Sequence, residues 1–201
     1  NFAIVSKPGT ELSVRDLKGK QVVGPKGTFL HQLLVAALEK EGMKESDVQF
    51  INRSIPKALS TILAGHADAA LVASSALIKA NKAGAKTIIN AEGLVEPTLV
   101  MTTTKQFVEE HLDIVKRVDK VYAESLQWMK DHPAETAEMG AKEHGISVED
   151  AKTLMERSHY FDKMTTKDLE DLKVNQKFLR DNGMMRNEVT VEELVLPVEM
   201  E

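Results

Sequence analysis

Short apolar runs rich in β-branched and small residues alternate with stretches of helical spacing through the first half of the chain. Residues 2–6, 21–24, 48–51, 68–73 and 86–90 are strand-length, and each predicts a β-strand. Between the second and third runs, Phe29, Leu30, Leu33, Leu34, Ala37 and Leu38 recur at a helical period, and Gly42 sits where a C-terminal cap belongs. Ile55, Leu59, Ile62 and Leu63 repeat the pattern up to Gly65, and residues 75–82 fill the next gap up to Gly84. Strand and helix in strict alternation predict a parallel sheet joined by right-handed crossovers.

The character changes after Gly93. One more strand is expected over 98–103, followed by helix to about Asn182. Ile114, Val118, Val121, Tyr122 and Met129 make a helical stripe that Asp131-His132-Pro133 interrupts, and Pro133 suits the first turn of a new helix. Ser147-Val148-Glu149-Asp150 and Thr165-Thr166-Lys167-Asp168 are capping signals for two further helices, and Gly183 is a stop. The pattern as a whole predicts an α/β lobe followed by a helical return segment.

Composition narrows the function classes. Lys+Arg 26 against Asp+Glu 31 leaves a net charge of −5 over 201 residues, which argues against a nucleic-acid partner. The chain has no cysteine, so disulfides, zinc–thiolate sites, iron–sulfur clusters and thiol nucleophiles are excluded together. Nine aromatic residues, six Phe, two Tyr and one Trp, leave few platforms for stacking bases or sugars. The longest apolar runs, such as 69–73, are far shorter than a membrane span. The chain has neither an initiator Met nor a secretory apolar segment, and it opens directly on a strand, as expected of a processed or partial sequence.

In an open parallel sheet, ligands bind beyond the carboxyl ends of the strands, where helices begin. Three such junctions can be read: Gly24-Pro25-Lys26-Gly27-Thr28, Asn52-Arg53-Ser54-Ile55-Pro56 and Ala73-Ser74-Ser75. Their small or hydroxylated residues lie beside free helix N–H donors, an arrangement that favours an anionic or strongly hydrogen-bonding group. Thr28, Ser54 and Ser75 are also what ordinary N-caps look like, and both readings stand at this point. Gly19 and Gly24 have phosphate-loop separation, but Pro25 occupies the lysine position, and no GxGxxG follows the strand.

His31, His66, His111, His132, His144 and His159 show neither HxxxH nor HExxH spacing. His111, beside Glu109 and Glu110, reads as a solvated helix end, and His132 as structural. His31 lies one turn into a helix aimed at the expected ligand site. No GxSxG elbow is present, and no catalytic constellation can be read. Asn52-Arg53-Ser54 matches a glycosylation triplet, a match that arises often by chance.

Asp16-Leu17-Lys18-Gly19-Lys20, the Gly27-Thr28 turn, the helix ending near Gly42, Ser46-Asp47-Val48 and Leu63-Ala64-Gly65-His66-Ala67-Asp68-Ala69 together carry a family likeness. Their order resembles the substrate-binding proteins of ABC importers for nitrate, sulfonates, taurine and thiamine-pyrimidine precursors. This is the NMT1/THI5-like group of the type II periplasmic binding proteins. Trp128-Met129-Lys130-Asp131-His132-Pro133, the helix pair after it and Phe178-Leu179 before Gly183 are similar as well.

The resemblance implies an α/β type II periplasmic-binding-protein fold of two lobes with a hinge, one lobe of which is complete in this chain. Residues 1–20 would be a crossing strand and a link from a truncated first lobe. Residues 21–92 would be the second lobe, and 93–201 a return crossing strand with helices that pack on the first lobe. The implied function is an extracytoplasmic solute-binding component of an ABC importer, monomeric, periplasmic or lipid-anchored, which delivers a small anionic solute to a membrane permease. No catalytic residue, metal or cofactor is implied.

Gly27, Thr28 and Phe29 match the turn that grips ligand in such proteins, with His31 just beyond, and Ser54, Ser74 and Ser75 lie at the other two junctions. Where many sulfonate- and nitrate-type relatives carry a Trp and then Asp-Pro, this chain has Leu71-Val72-Ala73-Ser74-Ser75, which implies a smaller, less aromatic wall built on Phe29. The alternatives are an enzyme of the thiamine-pyrimidine or menaquinone-pathway type on the same scaffold, with His31 or a first-lobe residue as a chemical group, and a ligand-sensing module.

Overall fold

The computed structural model describes residues 1–158, 160 and 163–195. Five strands, β1 (Phe2–Ser6), β2 (Gln21–Gly24), β3 (Gln49–Asn52), β4 (Ala69–Ala73) and β5 (Thr87–Asn90), form one sheet in the order β3-β2-β4-β1-β5. Three helices alternate with them: α1 (Phe29–Lys40), α2 (Ile55–Leu63) and α3 (Ser74–Lys82). All five expected strands form, within one residue at each end. Gly42 and Gly65 stop α1 and α2 with φ of +71° and +74°, a conformation that costs glycine little.

The sheet is mixed, where alternation alone predicts a parallel one. β2 pairs in parallel with β3 and β4, but β1 runs antiparallel to both of its neighbours. β1 reaches the sheet centre from outside the alternating units, and no crossover helix constrains its direction. All five of its residues pair with β4, from Phe2 opposite Ala73 to Ser6 opposite Ala69, and on its other side Ala3 lies opposite Asn90. Ala3, Ile4 and Val5 are completely buried.

The pleat sends alternate side chains to two faces. On one face Ala3, Val5, Val23, Ala70 and Val72 pack with Ala58 and Ile62 of α2 and Ala76 and Ala80 of α3. α1 buries a continuous face, Leu30 to Leu38, and contacts β1 and β4. At the amino-terminal edge of the parallel strands, Asp68 accepts the Gln21 N–H at 3.2 Å and pairs with Lys7 at 3.2 Å. Burial works to raise the Asp68 carboxyl, but these two donors outweigh it and hold the group below its ordinary value.

The described chain divides into two compact units, Asn1–Pro97 with Ala141–Ser158, and Thr98–Gly140 with His159–Glu201. The first unit thus includes β1 as well as the 21–92 lobe, and it also takes in α7 (Val148–Glu156) from the return segment. Lys79 Nζ donates to the His144 carbonyl at 2.7 Å, and Lys82 forms an ion pair with Asp150, so α3 holds this segment. The Lys82 ammonium, aided by the Ser147 hydroxyl, keeps the Asp150 carboxyl below its usual value.

In the second unit are α4 (Lys105–Glu110), α5 (Leu112–Asp131), most of α6 (Pro133–His144), α8 (Thr166–Asp181) and α9 (Val191–Leu194). Ser147 and Thr165 form the capping boxes expected of them, and Pro133 opens α6. The strand expected over 98–103 does not form. Leu99, Val100 and Met101 are 67%, 46% and 62% exposed, and a strand without a partner ladder leaves its polar backbone to water. Both edges of β1 are occupied already, so the sheet offers no place beside it. The α5 stripe is likewise more exposed than expected, with Val118 at 51% and Val121 at 58%.

Gly24 sets how closely β2 and β4 approach. A Cβ added there would lie 2.5 Å from Leu71 Cβ, a clash with a fully buried side chain. Gly24→Ala should lose about 1–3 kcal/mol in urea denaturation. Leu71→Ala in the Gly24→Ala background should cost less than Leu71→Ala alone, the positive coupling of residues in contact. Equal costs in both backgrounds would show that the two sites do not touch.

Candidate functional site

Because β2, β3 and β4 run the same way, their carboxyl ends lie along one edge of the sheet, and α1, α2 and α3 begin there. The chain leaves β2 towards β3 on one side, whereas β4 leads through α3 to β5 on the other. The strand order therefore reverses between β2 and β4, which is where open α/β sheets form a crevice. All three sequence-predicted junctions sit along this edge. β1 runs the opposite way and brings its first residues there too.

The first two junctions are tied into one platform. The Arg53 N–H donates to the Gly24 carbonyl at 2.8 Å, and the Lys26 N–H donates to Asn52 Oδ1 at 2.9 Å. Gly27 turns the chain with φ +73°. Thr28 precedes α1 but does not cap it, since its hydroxyl donates to the Pro25 carbonyl at 2.9 Å. Ser54 is the N-cap residue of α2, again without a side-chain cap bond. At α3 the cap position falls on Ala73, one residue before the expected serines, and no side chain caps there either. Ser74 has φ +50°, a left-handed conformation unusual for serine, and its N–H donates to the Asn1 carbonyl at 2.8 Å. Ser74 and Ser75 are half-buried.

These three helix starts differ from those elsewhere in the chain. Thr104, Ser147 and Thr165 do cap α4, α7 and α8 with their hydroxyls. The first turns of α5, α6, α7 and α8 carry an acidic residue, while those of α1, α2 and α3 carry none. Residues 21–38 and 48–67 contain no Asp or Glu at all, and 69–91 contain none either. Lys26 at the start of α1 and Arg53 and Lys57 at the start of α2 sit there instead. A cation at a helix N-terminus opposes the helix dipole, by about 0.3–1 kcal/mol at an exposed site.

Phe29 is half-buried and packs edge-on against Phe2, with ring centroids 4.8 Å apart. The aromatic wall at this edge is therefore a pair of rings, where the sequence implies Phe29 alone. Phe2, Asn52 and the cation pair Lys26 and Arg53 are members of this edge that motif reading passes over. The freedom of residues 21–38 and 48–67 from acids is the sequence signal that could have found the cations; nothing local could have found Phe2, which arrives by strand pairing.

His31 is placed differently from expectation. It is 2% exposed, its Nδ1 accepts the Gly27 N–H at 3.3 Å, and its ring stacks on Phe50 with centroids 4.8 Å apart. An accepting Nδ1 assigns the proton to Nε2. Nε2 lies 3.2 Å from Glu45 Oε1 without the alignment of a hydrogen bond, and has no hydrogen-bond partner among the described residues. His31 thus braces the first junction from inside and occupies the amide of Gly27. In the second unit His132 stacks on Trp128 and His111 packs against Phe107; His159 lies outside the described residues. No group of three or more metal-ligating side chains is present among the described residues.

His31→Ala should destabilise the fold by about 2–4 kcal/mol in urea denaturation, through loss of the buried ring and of the Gly27 brace. A change near zero would show that the histidine is not a structural element of the junction.

The chain and its fold match known proteins. A Bacillus subtilis (strain 168) protein named for aliphatic-sulfonate binding is 30% identical over 142 residues, covering 69% of this chain and 42% of that protein. The taurine-binding periplasmic protein of Escherichia coli (strain K12) is 32% identical over 120 residues, 58% of this chain and 35% of the relative. The chain thus spans less than half the length of these two relatives, both of which are named as binding proteins. Among solved structures, the alkanesulfonate-binding protein SsuA from Xanthomonas axonopodis pv. citri, bound to MOPS, superposes with a TM-score of 0.80 at 18% identity, over 97% of this chain and 69% of that one. That likeness establishes the α/β fold of the periplasmic sulfonate-binding proteins. The model of the NMT1/THI5 like family matches residues 2–136, and the chain belongs to that family.

Proposed function

We propose that this chain supplies the ligand-gripping lobe of an extracytoplasmic solute-binding component of an ABC importer, and that its solute is a small organic sulfonate. The observation that carries this reading is the set of three uncapped helix N-termini along one acid-free sheet edge. Backbone N–H groups at a helix start, with the dipole behind them, are suited to the oxygens of a compact anion. Ser54, Ser74 and Ser75 add hydroxyls that no helix cap consumes, Thr28 shapes the turn through its bond to Pro25, and Phe29 with Phe2 offers apolar surface to the carbon end of an alkanesulfonate. Gly27 contributes its turn, its amide being held by His31.

The names of the aliphatic-sulfonate and taurine relatives favour sulfonate over other anions. The periplasmic name of the taurine relative supports an extracytoplasmic location and, with it, delivery to a membrane permease, and no described helix is long and apolar enough to cross a membrane. A binding role without chemistry fits the site: its histidine is buried, accepts the Gly27 N–H and stacks on Phe50.

Thermal denaturation and calorimetry of the full-length protein with taurine, ethanesulfonate, nitrate and bicarbonate test the proposal. A sulfonate at about a hundred times its Kd should stabilise the protein by about 2.7 kcal/mol. Ser54→Ala and Ser75→Ala should each weaken binding by about tenfold, the loss of one hydrogen bond to a charged group. Absence of any shift or heat with all four anions would overturn the reading.

A further inference from the structure

We propose that Lys26 and Arg53 form a paired cationic rim that captures the anion and selects its charge. This rests on the sulfonate-binding reading and assigns to that edge two side chains that motif comparison leaves out. Both are exposed, and both rise from the same cross-tied pair of turns, where the Arg53 N–H meets Gly24 and the Lys26 N–H meets Asn52. Neither has a carboxylate within 4.0 Å among the described residues.

Four other cations of the same unit have carboxylate partners. Lys7 pairs with Asp68, Arg15 with Glu41, Lys18 with Asp47 and Lys82 with Asp150. Lys26 and Arg53 instead stand beside helix starts whose dipoles repel them and whose first turns hold no acid. An apo protein gains nothing from that placement, whereas an anion seated there would be attracted by cation and dipole together. Arg53 Nη1 donates to the Asn52 carbonyl at 3.0 Å, which orients the guanidinium and leaves Nε and Nη2 without an acceptor among the described residues. A planar guanidinium matches two oxygens of a tetrahedral or planar oxyanion, and Lys26 adds a mobile point charge.

The test is calorimetry with ethanesulfonate on the full-length protein, for wild type, Lys26→Gln, Arg53→Gln and the double variant, at about 10 mM and about 500 mM NaCl. Lys86→Gln, at the opposite end of the sheet, is the control. Wild-type Kd should rise with salt. At low salt, Arg53→Gln should weaken binding by about tenfold and Lys26→Gln by about threefold, and the double variant should show little salt dependence. Their ligand-free melting temperatures should equal or exceed that of wild type, because an unfavourable charge has been removed. Lys86→Gln should bind as wild type does.

If wild type binds and both variants keep its Kd and salt slope, the rim is overturned while the function reading stands. Weakened binding accompanied by lower melting temperatures overturns it as well, since the side chains would then be structural. If wild type takes no sulfonate, the function reading falls, and the rim falls with it.

Discussion

Three parallel strands leave their carboxyl ends on the same edge of the sheet, and every feature of the candidate site follows from that direction. A helix that returns the chain from one parallel strand to the next must begin at that edge, so the dipoles of α1, α2 and α3 converge on it. The reversal of strand order between β2 and β4 opens the ground between the first and third helix starts. β1 closes the other side of β4 along its whole length, and its antiparallel direction delivers Phe2 and the Asn1 carbonyl to this same edge. Gly24 permits the close approach of β2 to Leu71 that the arrangement requires.

Electrostatics at this edge run against what a freestanding fold would favour. Helix starts elsewhere in the chain carry hydroxyl caps or acidic first turns, which satisfy N–H donors and complement the dipole. At α1, α2 and α3 the hydroxyls are present but not used as caps and acids are absent, and at α1 and α2 cations stand in their place. The protein carries a net negative charge and still keeps 48–67 and 69–91 free of acids, with Asp68 between them at the far end of β4. Local conflict of this kind collects at functional sites, where the missing partner is the ligand. The left-handed Ser74 is a second instance on the same edge.

Local pattern made much of this legible. Period and punctuation located β1 to β5 and α1 to α3, and the Ser147 and Thr165 boxes located α7 and α8, because each signal lies within a few residues of the element it specifies. The three junctions were readable for the same reason. What escaped depended on distant partners. The antiparallel placement of β1 is set by pairing with residues about seventy positions away. Residues 98–103 have strand composition but no ladder to join. His31 lies at the right helical position yet turns inward, because Phe50 and Glu45, from later segments, offer it a stack and a carboxylate. That the hydroxyls at the junctions are not caps could be learned only from where Thr28 Oγ1 actually donates.

The central claim is that the three helix starts, not the histidine or any catalytic group, hold the solute. A crystal structure of the full-length protein with taurine tests it most directly. The account predicts sulfonate oxygens within about 3.2 Å of backbone nitrogens in the first turns of α1 and α3, with Gly27 still bonded to His31. A sulfonate bound away from all three junctions, or coordinated by His31 with the Gly27 bond broken, would contradict it.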